Sequence, residues 1–377
     1  MKLRNVAVVG FAQAPTSAGD PHRTETEMLY PVVKRALSGC GVERDAIDYQ
    51  CAGSSDYLTG RAFSFSQALD VMGAWPPRQD SHLEMDAAWA AHYVWLRMQA
   101  AECDTAMVCG FGKTSEGHPR QVFNIQLDPF YLQPLGLDHV STAALQASAY
   151  LTRSGAGDAD LAEIAARDRS SGAKNPEAQL REPASAAELA RTPFEVAPLR
   201  KGYLPPLGES ATCIVLAAEG KAEKLCDRPV WVHGVDHRTE LPTIGARDLT
   251  RSASAKLAAE KAFAMAGLAR AAEVDLIELM STNPVEEMIL REAIGLEARG
   301  ASPGKGGPVL NPSGGPLTAN PYYSTGIIRL GEAFRQLSGR AGERAVPGAR
   351  RAIAHAASGH CLQQNLFWVL GTERRWS

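Results

Sequence analysis

The chain has 377 residues, of which 45% are hydrophobic and 21% are charged, and its formal net charge is -3 at pH 7. This length suits two or three ordinary domains or one large α/β unit, and the composition is that of an ordinary globular protein. A net negative charge gives no general basic surface, which argues against nucleic acid as a partner, and no apolar run approaches the ~20 residues that span a bilayer.

The cysteines and the first residues bear on the compartment. The seven cysteines form no Cys-x-x-Cys pair, which favours reduced thiols in a cytoplasmic protein over a disulfide framework or a zinc site. His233 and His237 are too far apart along a predicted strand to share a metal, so no metal site is expected. The opening residues MKLRNVAVVGFAQA mimic a signal peptide, but their apolar run is short and we favour a buried first strand.

Strands and helices alternate along the first part of the chain. Val6–Val9 is continuously apolar, as expected for a strand that is covered on both faces. The elements predicted after it are a helix at Glu27–Leu37, a strand near Ile47–Cys51, a long helix within Leu83–Ala101, a buried strand within Cys103–Ser115, a loop-rich excursion over 116–205 with helices at Ser141–Thr152 and Asp160–Ser171, and a strand leading into a helix within Gly208–Leu225.

The same order of elements restarts near residue 229. The predicted elements are a strand at Pro229–Val235, a helix at Ala253–Ala266, a strand at Val274–Met280, a helix at Glu286–Ile294, a helix at Tyr322–Gly339 and two strands around a Gly turn within Arg350–Gly371. This alternation predicts mainly parallel sheets between layers of helices. The restart predicts a duplication with halves 1–228 and 229–377, and places the chemistry where strand ends and helix N-termini of both halves meet.

Three motifs in this duplicated frame follow the pattern of one known family. They are LNPSGGPL at Leu310–Leu317, DLAEIAARDRSSGAKNPEAQLRE at Asp160–Glu182 and AHAASGHC at Ala354–Cys361. The chain resembles the thiolase superfamily over nearly its whole length, and most closely the sterol-carrier-protein-type thiolases. The resemblance implies a five-layered α-β-α-β-α fold, obligate dimers, and acyl-CoA substrates whose carbon–carbon bonds are made or cut. Coenzyme A would enter as part of the substrate, and no other cofactor is implied.

Most of the family's catalytic residues are replaced. The nucleophile motif, roughly E-G-A-C-A-S-G, falls on EMDAAWA at Glu84–Ala90, so Ala87 stands at the position of the reactive Cys. Alanine has no nucleophile, and a covalent acyl-enzyme is excluded there. The family's G-H-P-x-G-A-T-G falls on ANPYYSTG, with Asn320 in place of His, and its H-D-A-F or N-E-A-F motif falls on MSTNP at Met280–Pro284.

Four polar residues near the expected cavity are candidate catalytic groups. Asn320 could hold a carbonyl or a water. Tyr322 and Tyr323 begin a predicted helix, whose N-terminus could lower a phenol pKa and suit it to proton transfer. The alternative is that one tyrosine packs in the core and the other covers a dimer surface. Asp86 could act as a base or could cap the helix that follows it.

The Gly-rich C-terminal turn adds further candidates. His355 aligns best with the family's acid/base Cys and would titrate near neutral pH, unless backbone groups satisfy it. Cys361 is a second candidate, with a role as a small buried apolar residue as its alternative. The residues assigned to substrate binding are Asn311, Ser313, Gly314, Gly315, Gly359 and His360. The NPSGG residues also make a structural turn, which is the alternative for them.

Three functions remain open. The leading one is retro-aldol cleavage of a β-hydroxyacyl-CoA, which needs a base and a stabiliser for the thioester enolate but no acyl-enzyme. Aldolases that resemble this chain act in steroid side-chain breakdown, lack the nucleophilic Cys, carry Tyr at the position of Asn320, and work with a small acyl-CoA-binding partner of OB fold. The resemblance therefore implies such a partner. The alternatives are a non-catalytic subunit of an acyl-CoA-processing complex and an acyltransferase with a displaced nucleophile.

Overall fold

The computed structural model describes residues 3–73, 75–302, 304 and 306–375. Ten strands of this part form one mixed sheet, and two short strands form a separate ribbon. The strands are β1 (Val6–Gln13), β2 (Tyr49–Gly53), β3 (Gln79–Leu83), β4 (Thr105–Gly112), β5 (Phe194–Val196), β6 (Leu199–Arg200), β7 (Ser210–Ala218), β8 (Val230–Thr239), β9 (Leu276–Glu278), β10 (Val309–Leu310), β11 (Arg351–Ser358) and β12 (Gln364–Gly371).

The α-helices connect these strands and cover the sheet. They are α1 (Glu25–Ser38), α2 (Asp56–Thr59), α3 (Phe65–Met72), α4 (Ala87–Gln99), α5 (Pro119–Ile125), α6 (His139–Ser154), α7 (Asp158–Gly172), α8 (Ala186–Leu189), α9 (Ala222–Leu225), α10 (Ala253–Ala266), α11 (Pro284–Ala293), α12 (Gly315–Thr318) and α13 (Thr325–Leu337). Within the described residues, no helix combines the length and the apolar character that crossing a membrane requires.

The sheet consists of two halves with the same topology. Its order is β10-β9-β11-β12-β8-β1-β7-β4-β2-β3. In the first half, β2 pairs in parallel with β3 and β4, and β7 pairs antiparallel with β4 and β1. In the second half, β9 pairs in parallel with β10 and β11, and β12 pairs antiparallel with β11 and β8. The halves join where β1 pairs antiparallel with β8, at Ala7 with Trp231 and Val8 with Val230. The predicted duplication is confirmed, while the division at residue 228 stays a prediction.

Helices fill the space between the two half-sheets and cover their outer faces. α4 packs on β2 and β4, α13 packs on β9 and β11, and these two helices contact each other. α1 lies against β1 and β7, and α10 lies against β8 and β12. In α13, Gly331 makes room for a ring of β1, because a Cβ there would lie 2.2 Å from Cζ of Phe11. The predicted helix–sheet–helix–sheet–helix arrangement is confirmed.

The structure also corrects three predictions. Among the described strands the sheet is mixed rather than mainly parallel, with four parallel and five antiparallel strand pairs. The helix predicted from Tyr322 begins at Thr325, because Tyr323 adopts a φ of 65° that no α-helix accommodates. The edge strand β3, with the sequence QDSHL, was not predicted, because it is polar and partly exposed and shows no apolar alternation. The first strand is confirmed: Val6, Ala7, Val8 and Val9 are fully buried in β1.

Candidate active site

The N-termini of the two central helices meet at one buried carboxylate. Asp86 precedes α4, and its Oδ1 accepts hydrogen bonds from the backbone N–H of Ala88 at 2.8 Å and of Ile327 at 3.0 Å. Its Oδ2 accepts from the N–H of Gly326 in α13 at 2.8 Å. Asp86 therefore caps both helices, and these three bonds occupy the carboxylate that could otherwise act as a base.

Ala87 fills the position where the family carries its reactive cysteine. It is the first residue of α4 and is fully buried, and its N–H donates to the carbonyl of Tyr323 at 2.9 Å. Two strand glycines approach it closely: a Cβ at Gly110 would lie 2.6 Å from Cβ of Ala87, and a Cβ at Gly53 would lie 2.6 Å from its Cα. The site is therefore tightly packed and carries no thiol.

A cavity of about 100 Å³ lies beside this helix junction. Its polar walls include Asp86, Glu286 and Tyr322, and the Gly-rich turn between β11 and β12 contributes Gly359, His360 and Cys361. The structure thus brings together residues from both halves of the chain, as the duplication predicts.

Glu286, in the first turn of α11, is a carboxyl group that the sequence analysis did not select. Its Oε2 accepts hydrogen bonds from the N–H of Thr282 at 2.6 Å and from the hydroxyl of Thr282 at 2.8 Å. No Lys, Arg or His in the described ranges forms an ion pair with it, and burial raises its pKa. A buried carboxyl with a raised pKa in a cavity is a candidate general base.

His139, at the start of α6, is a second residue that sequence analysis missed. Its ring lies 4.7 Å from that of Phe123 and 6.0 Å from that of Tyr322, centroid to centroid. Burial lowers the pKa of His139 to about 4, so the imidazole is neutral at pH 7. Its Nδ1 is buried and has no hydrogen-bond partner in the part of the chain that the structure describes. A neutral imidazole can donate one proton and accept another.

The two tyrosines reach the site without a lowered pKa. Tyr322 lines the cavity, but burial raises its pKa, and the nearby charges of Tyr323 and Glu286 raise it further. Burial also raises the pKa of Tyr323, and hydrogen bonds with Ser55 and Gln126 partly oppose this rise. The expectation that a helix N-terminus lowers a phenol pKa here is wrong, because both residues precede the first turn of α13. At neutral pH these phenols are hydrogen-bond donors.

The Gly-rich turn places His360 and Cys361 on the cavity wall. The two ring nitrogens of His360 are bonded to the hydroxyl of Thr142 and to the carbonyl of Phe123, each at 2.9 Å. The Sγ of Cys361 donates to the carbonyl of Thr142 at 3.4 Å, and burial raises its pKa to about 12. This thiol is therefore protonated at neutral pH and is a poor nucleophile.

His355 and Asn320 are not among the described residues that line the cavity. Nδ1 of His355 accepts from the N–H of Met280 at 3.3 Å, so its Nε2 donates to Oδ1 of Asn365 at 2.9 Å, and burial lowers its pKa to about 4. His355 is therefore a hydrogen-bonded core residue in this structure, and its role as the acid/base stays a prediction. Asn320 is fully buried: its Oδ1 accepts from the hydroxyl of Thr325 at 2.8 Å, and its Nδ2 has no hydrogen-bond partner among the described residues.

The NPSGG residues Asn311, Ser313, Gly314 and Gly315 are buried and are not among the described residues that line the cavity, so their assignment to substrate binding stays a prediction. The hydroxyl of Ser313 donates to Glu278 at 2.7 Å, and Nη1 of Arg329 donates to the same carboxylate oxygen at 2.5 Å. Oδ1 of Asn311 accepts from the N–H of Leu279 at 2.7 Å. The motif therefore forms a turn that satisfies a buried ion pair, and its conformation rather than its chemistry explains these residue types.

A wider groove leads into the cavity. It has a volume of about 380 Å³ and shares His139, Thr282 and Tyr322 with the cavity wall. Two exposed cations, Arg120 and Lys201, lie along it; Arg120 is paired with Asp138 and Glu195, and Lys201 is paired with Glu195. A ligand with an anionic end would compete with these carboxylates for the two cations.

Comparisons with known proteins point to one superfamily. Residues 236–372 match the family described as thiolase C-terminal domain-like. The chain is 25% identical to an acetyl-CoA acetyltransferase of Methanothermobacter thermautotrophicus over 378 residues, 95% of this chain and 97% of that protein. It is 26% identical to sterol carrier protein 2 of Gallus gallus over 386 residues, 93% of this chain and 69% of that protein.

A solved structure, an Ltp2–ChsH2(DUF35) aldolase, superposes with a TM-score of 0.81 at 16% sequence identity, covering 98% of each chain. This similarity extends to the whole fold described above, including both half-sheets. It confirms the predicted fold. The sequence matches support the predicted resemblance to the thiolase superfamily and to its sterol-carrier-protein-type members.

Proposed function

We propose that this chain cleaves a carbon–carbon bond of a β-hydroxyacyl-CoA by a retro-aldol reaction. The observation that carries the proposal is that the helix junction lacks the family's nucleophile and instead has a buried carboxyl group beside it. Ala87 supplies no nucleophile there, while Glu286 supplies a buried carboxyl without a cationic partner among the described residues. Such a site favours proton transfer over covalent catalysis.

In the proposed reaction the Glu286 carboxylate accepts the proton of the β-hydroxyl group. The oxygen forms a carbonyl as the Cα–Cβ bond breaks, and the electron pair of that bond passes to the thioester as an enolate. Tyr322, which burial keeps protonated, donates a hydrogen bond to the enolate oxygen. Glu286 then returns the proton to Cα. The products are an aldehyde or ketone and a shortened acyl-CoA, so atoms and electrons balance without a further cofactor.

The groove beside the cavity supports acyl-CoA as the substrate class. Arg120 and Lys201 would contact the phosphates of coenzyme A, while the thioester enters between His139 and Tyr322. The relatives named above include an acetyl-CoA acetyltransferase and an aldolase with two named components, which supports the same class. A steroid or lipid side chain as the acyl group, a small OB-fold partner, and a cytoplasmic location remain proposals of the same kind.

A homodimer is part of the proposal. Large apolar side chains stand exposed on this chain, among them Phe63, Trp75, Phe130 and Tyr131 with 69%, 82%, 81% and 79% of their surface accessible. Exposed aromatic side chains suit an interface between two copies of the chain, where such residues are enriched. Light scattering should give twice the chain mass of 40.3 kDa, and a monomer at micromolar concentration would contradict this part.

The test of the reaction is carbonyl release. The purified protein is incubated with a series of β-hydroxyacyl-CoA thioesters, and aldehyde or ketone is trapped with dinitrophenylhydrazine. Glu286→Gln should lower the rate by about 10²-fold or more, since general-base catalysis contributes at least that much. Glu297→Gln, an exposed carboxyl after the same helix, is the matched control and should leave the rate unchanged. Full activity in Glu286→Gln would refute the assignment of the base.

The second candidate is a non-catalytic subunit of an acyl-CoA-processing complex. The size of the cavity favours it, because about 100 Å³ is smaller than the ~150 Å³ cavity that holds one benzene ring and is less than an acyl chain needs. On this hypothesis no thioester of the series releases a carbonyl, and isothermal titration with coenzyme A gives no heat. Carbonyl release that depends on Glu286 would exclude it.

A further inference from the structure

A groove with surplus positive charge lies at the C-terminal end of α13, away from the catalytic cavity. It consists of two adjoining cavities of about 430 and 420 Å³ that share Pro176, Glu177 and Arg335, and we call it the basic groove. The catalytic cavity lies at the N-terminal end of the same helix, whose 13 residues span about 20 Å. The basic groove is therefore not part of the site described above.

Four exposed cations of the basic groove have no carboxylate partner. They are Arg35, Lys174, Arg181 and Arg340. Among residues 3–73, 75–302, 304 and 306–375, no Asp or Glu forms an ion pair with any of them. Nη2 of Arg35 donates to the carbonyl of Gln13 at 2.8 Å, and the guanidinium of Arg340 lies over the ring of Phe334 at 5.3 Å. Both contacts are with neutral groups, so the positive charges remain available.

The acidic residues of the basic groove do not offset this charge. Glu177 is already paired with Arg335 and with Arg344, and Glu343 is the other carboxyl group among the described lining residues. A concentration of uncompensated cations is unexpected in a chain whose formal net charge is -3. Such a local field attracts an acidic partner and raises its rate of association.

The floor of the basic groove carries a second, independent signal. Phe11, Pro15 and Pro176 form apolar surface, and between them Gln13 is 3% exposed. The Oε1 of Gln13 is buried and has no hydrogen-bond partner within the described part of the chain. An unpaired buried polar atom costs about 1–3 kcal/mol, so an occupant with a hydrogen-bonding backbone would remove that cost.

We propose that the basic groove binds an acidic, extended segment of a partner protein. Carboxylates of that segment pair with the four cations, since guanidinium groups match carboxylates in geometry and charge. A peptide group of the segment bonds to Gln13, and its small apolar side chains lie on the prolines of the floor. The cations are spread along both cavities of the groove, which suits a chain of several residues rather than one small anion.

The test measures the fluorescence anisotropy of a fluorescein-labelled peptide of alternating Glu and Ala at physiological ionic strength. The intact chain should bind it, and the same peptide with Gln in place of Glu should not bind. The double variant Arg181→Glu/Arg340→Glu should weaken binding about tenfold or more. The expected factor follows from the loss of two exposed ion pairs with the peptide, each of which contributes about 0.7 kcal/mol. These side chains are exposed, so the thermal unfolding of this variant should match that of the unmodified chain.

The control variant Arg191→Glu/Lys261→Glu changes the net charge by the same amount at exposed cations outside the groove. It should change the affinity less than twofold. An equal loss of affinity in both double variants would mean that peptide binding depends only on the net charge of the chain, and it would refute the proposal. It would also fall if the peptide does not bind, or if inorganic pyrophosphate displaces it at a lower concentration than unlabelled peptide does, which would mark a small-anion site.

Discussion

Replacing Asp86 by Ala removes the acceptor that holds the two central helices together. Three backbone N–H groups, from Ala88, Gly326 and Ile327, donate to this one carboxylate at 2.8–3.0 Å. Asp86 is only 4% exposed, so the three N–H groups that it caps lie away from bulk water. Each buried N–H left without a partner costs about 1–3 kcal/mol. After partial relaxation, we expect Asp86→Ala to lower the free energy of unfolding by about 4 kcal/mol or more.

A single exposed cap provides the matched comparison. Thr24 caps α1 through its side chain and the N–H of Glu27, and Thr24→Ala should cost only about 1 kcal/mol. Asp86→Asn keeps one carbonyl oxygen and should fall between these two values. The measurement is urea unfolding at pH 7, monitored by circular dichroism. The free energies of unfolding are compared between variants that have the same dependence on urea concentration. If Asp86→Ala costs no more than Thr24→Ala, the shared cap does not hold the helices and this reasoning fails.

Three further predictions concern titration and reactivity. Glu286 acts as a base only when it is deprotonated, and burial raises its pKa above the ordinary value of 4.5. We therefore expect kcat/KM to rise with pH through a midpoint above 4.5. A midpoint at or below 4.5 would contradict this role. Iodoacetamide should not label native Cys361 at pH 7, since burial raises its pKa to about 12; stoichiometric labelling in mass spectra of the unheated protein would contradict this. Burial favours the protonated form of Glu332, but Arg335 and its neighbours dominate and hold the pKa at about 2. The stability this carboxylate contributes is present above pH ~4.5 and is lost as pH falls towards 2, by about 3 kcal/mol. The difference in unfolding free energy between wild type and Glu332→Gln should therefore shrink from pH 5 to pH 2, and a difference that stays constant over this range would contradict the prediction.

Most of the fold was readable because it depends on local pattern. Continuous apolar runs such as Val6–Val9 predicted strands covered on both faces, and the restart near residue 229 predicted the second half. The loss of the nucleophile was equally local, since Ala87 stands in a recognisable motif. The start of α13 was not readable, because it depends on the left-handed backbone of Tyr323, whose carbonyl accepts a hydrogen bond from the sequence-distant N–H of Ala87.

The catalytic groups were harder to predict because burial and neighbours determine them. Glu286 reads in sequence as one of two acidic residues that complement a helix N-terminus, and only the fold turns it towards a cavity without a cation. His139 follows a capping Asp and shows no motif. Asn311 and Ser313 match a strong family motif, but their side chains form hydrogen bonds inside the protein, with Leu279 and Glu278 respectively.

The contact between β1 and β8 bears on the symmetry of the chain. Each is the first strand of its half, and they run antiparallel where they meet. Two identical molecules related by a twofold rotation make this kind of contact, in which each presents the same edge to the other. The present molecule thus has the pseudosymmetry that such a pair would have. Either half expressed by itself would leave a hydrophobic edge without its mate and should reassemble into a symmetric pair.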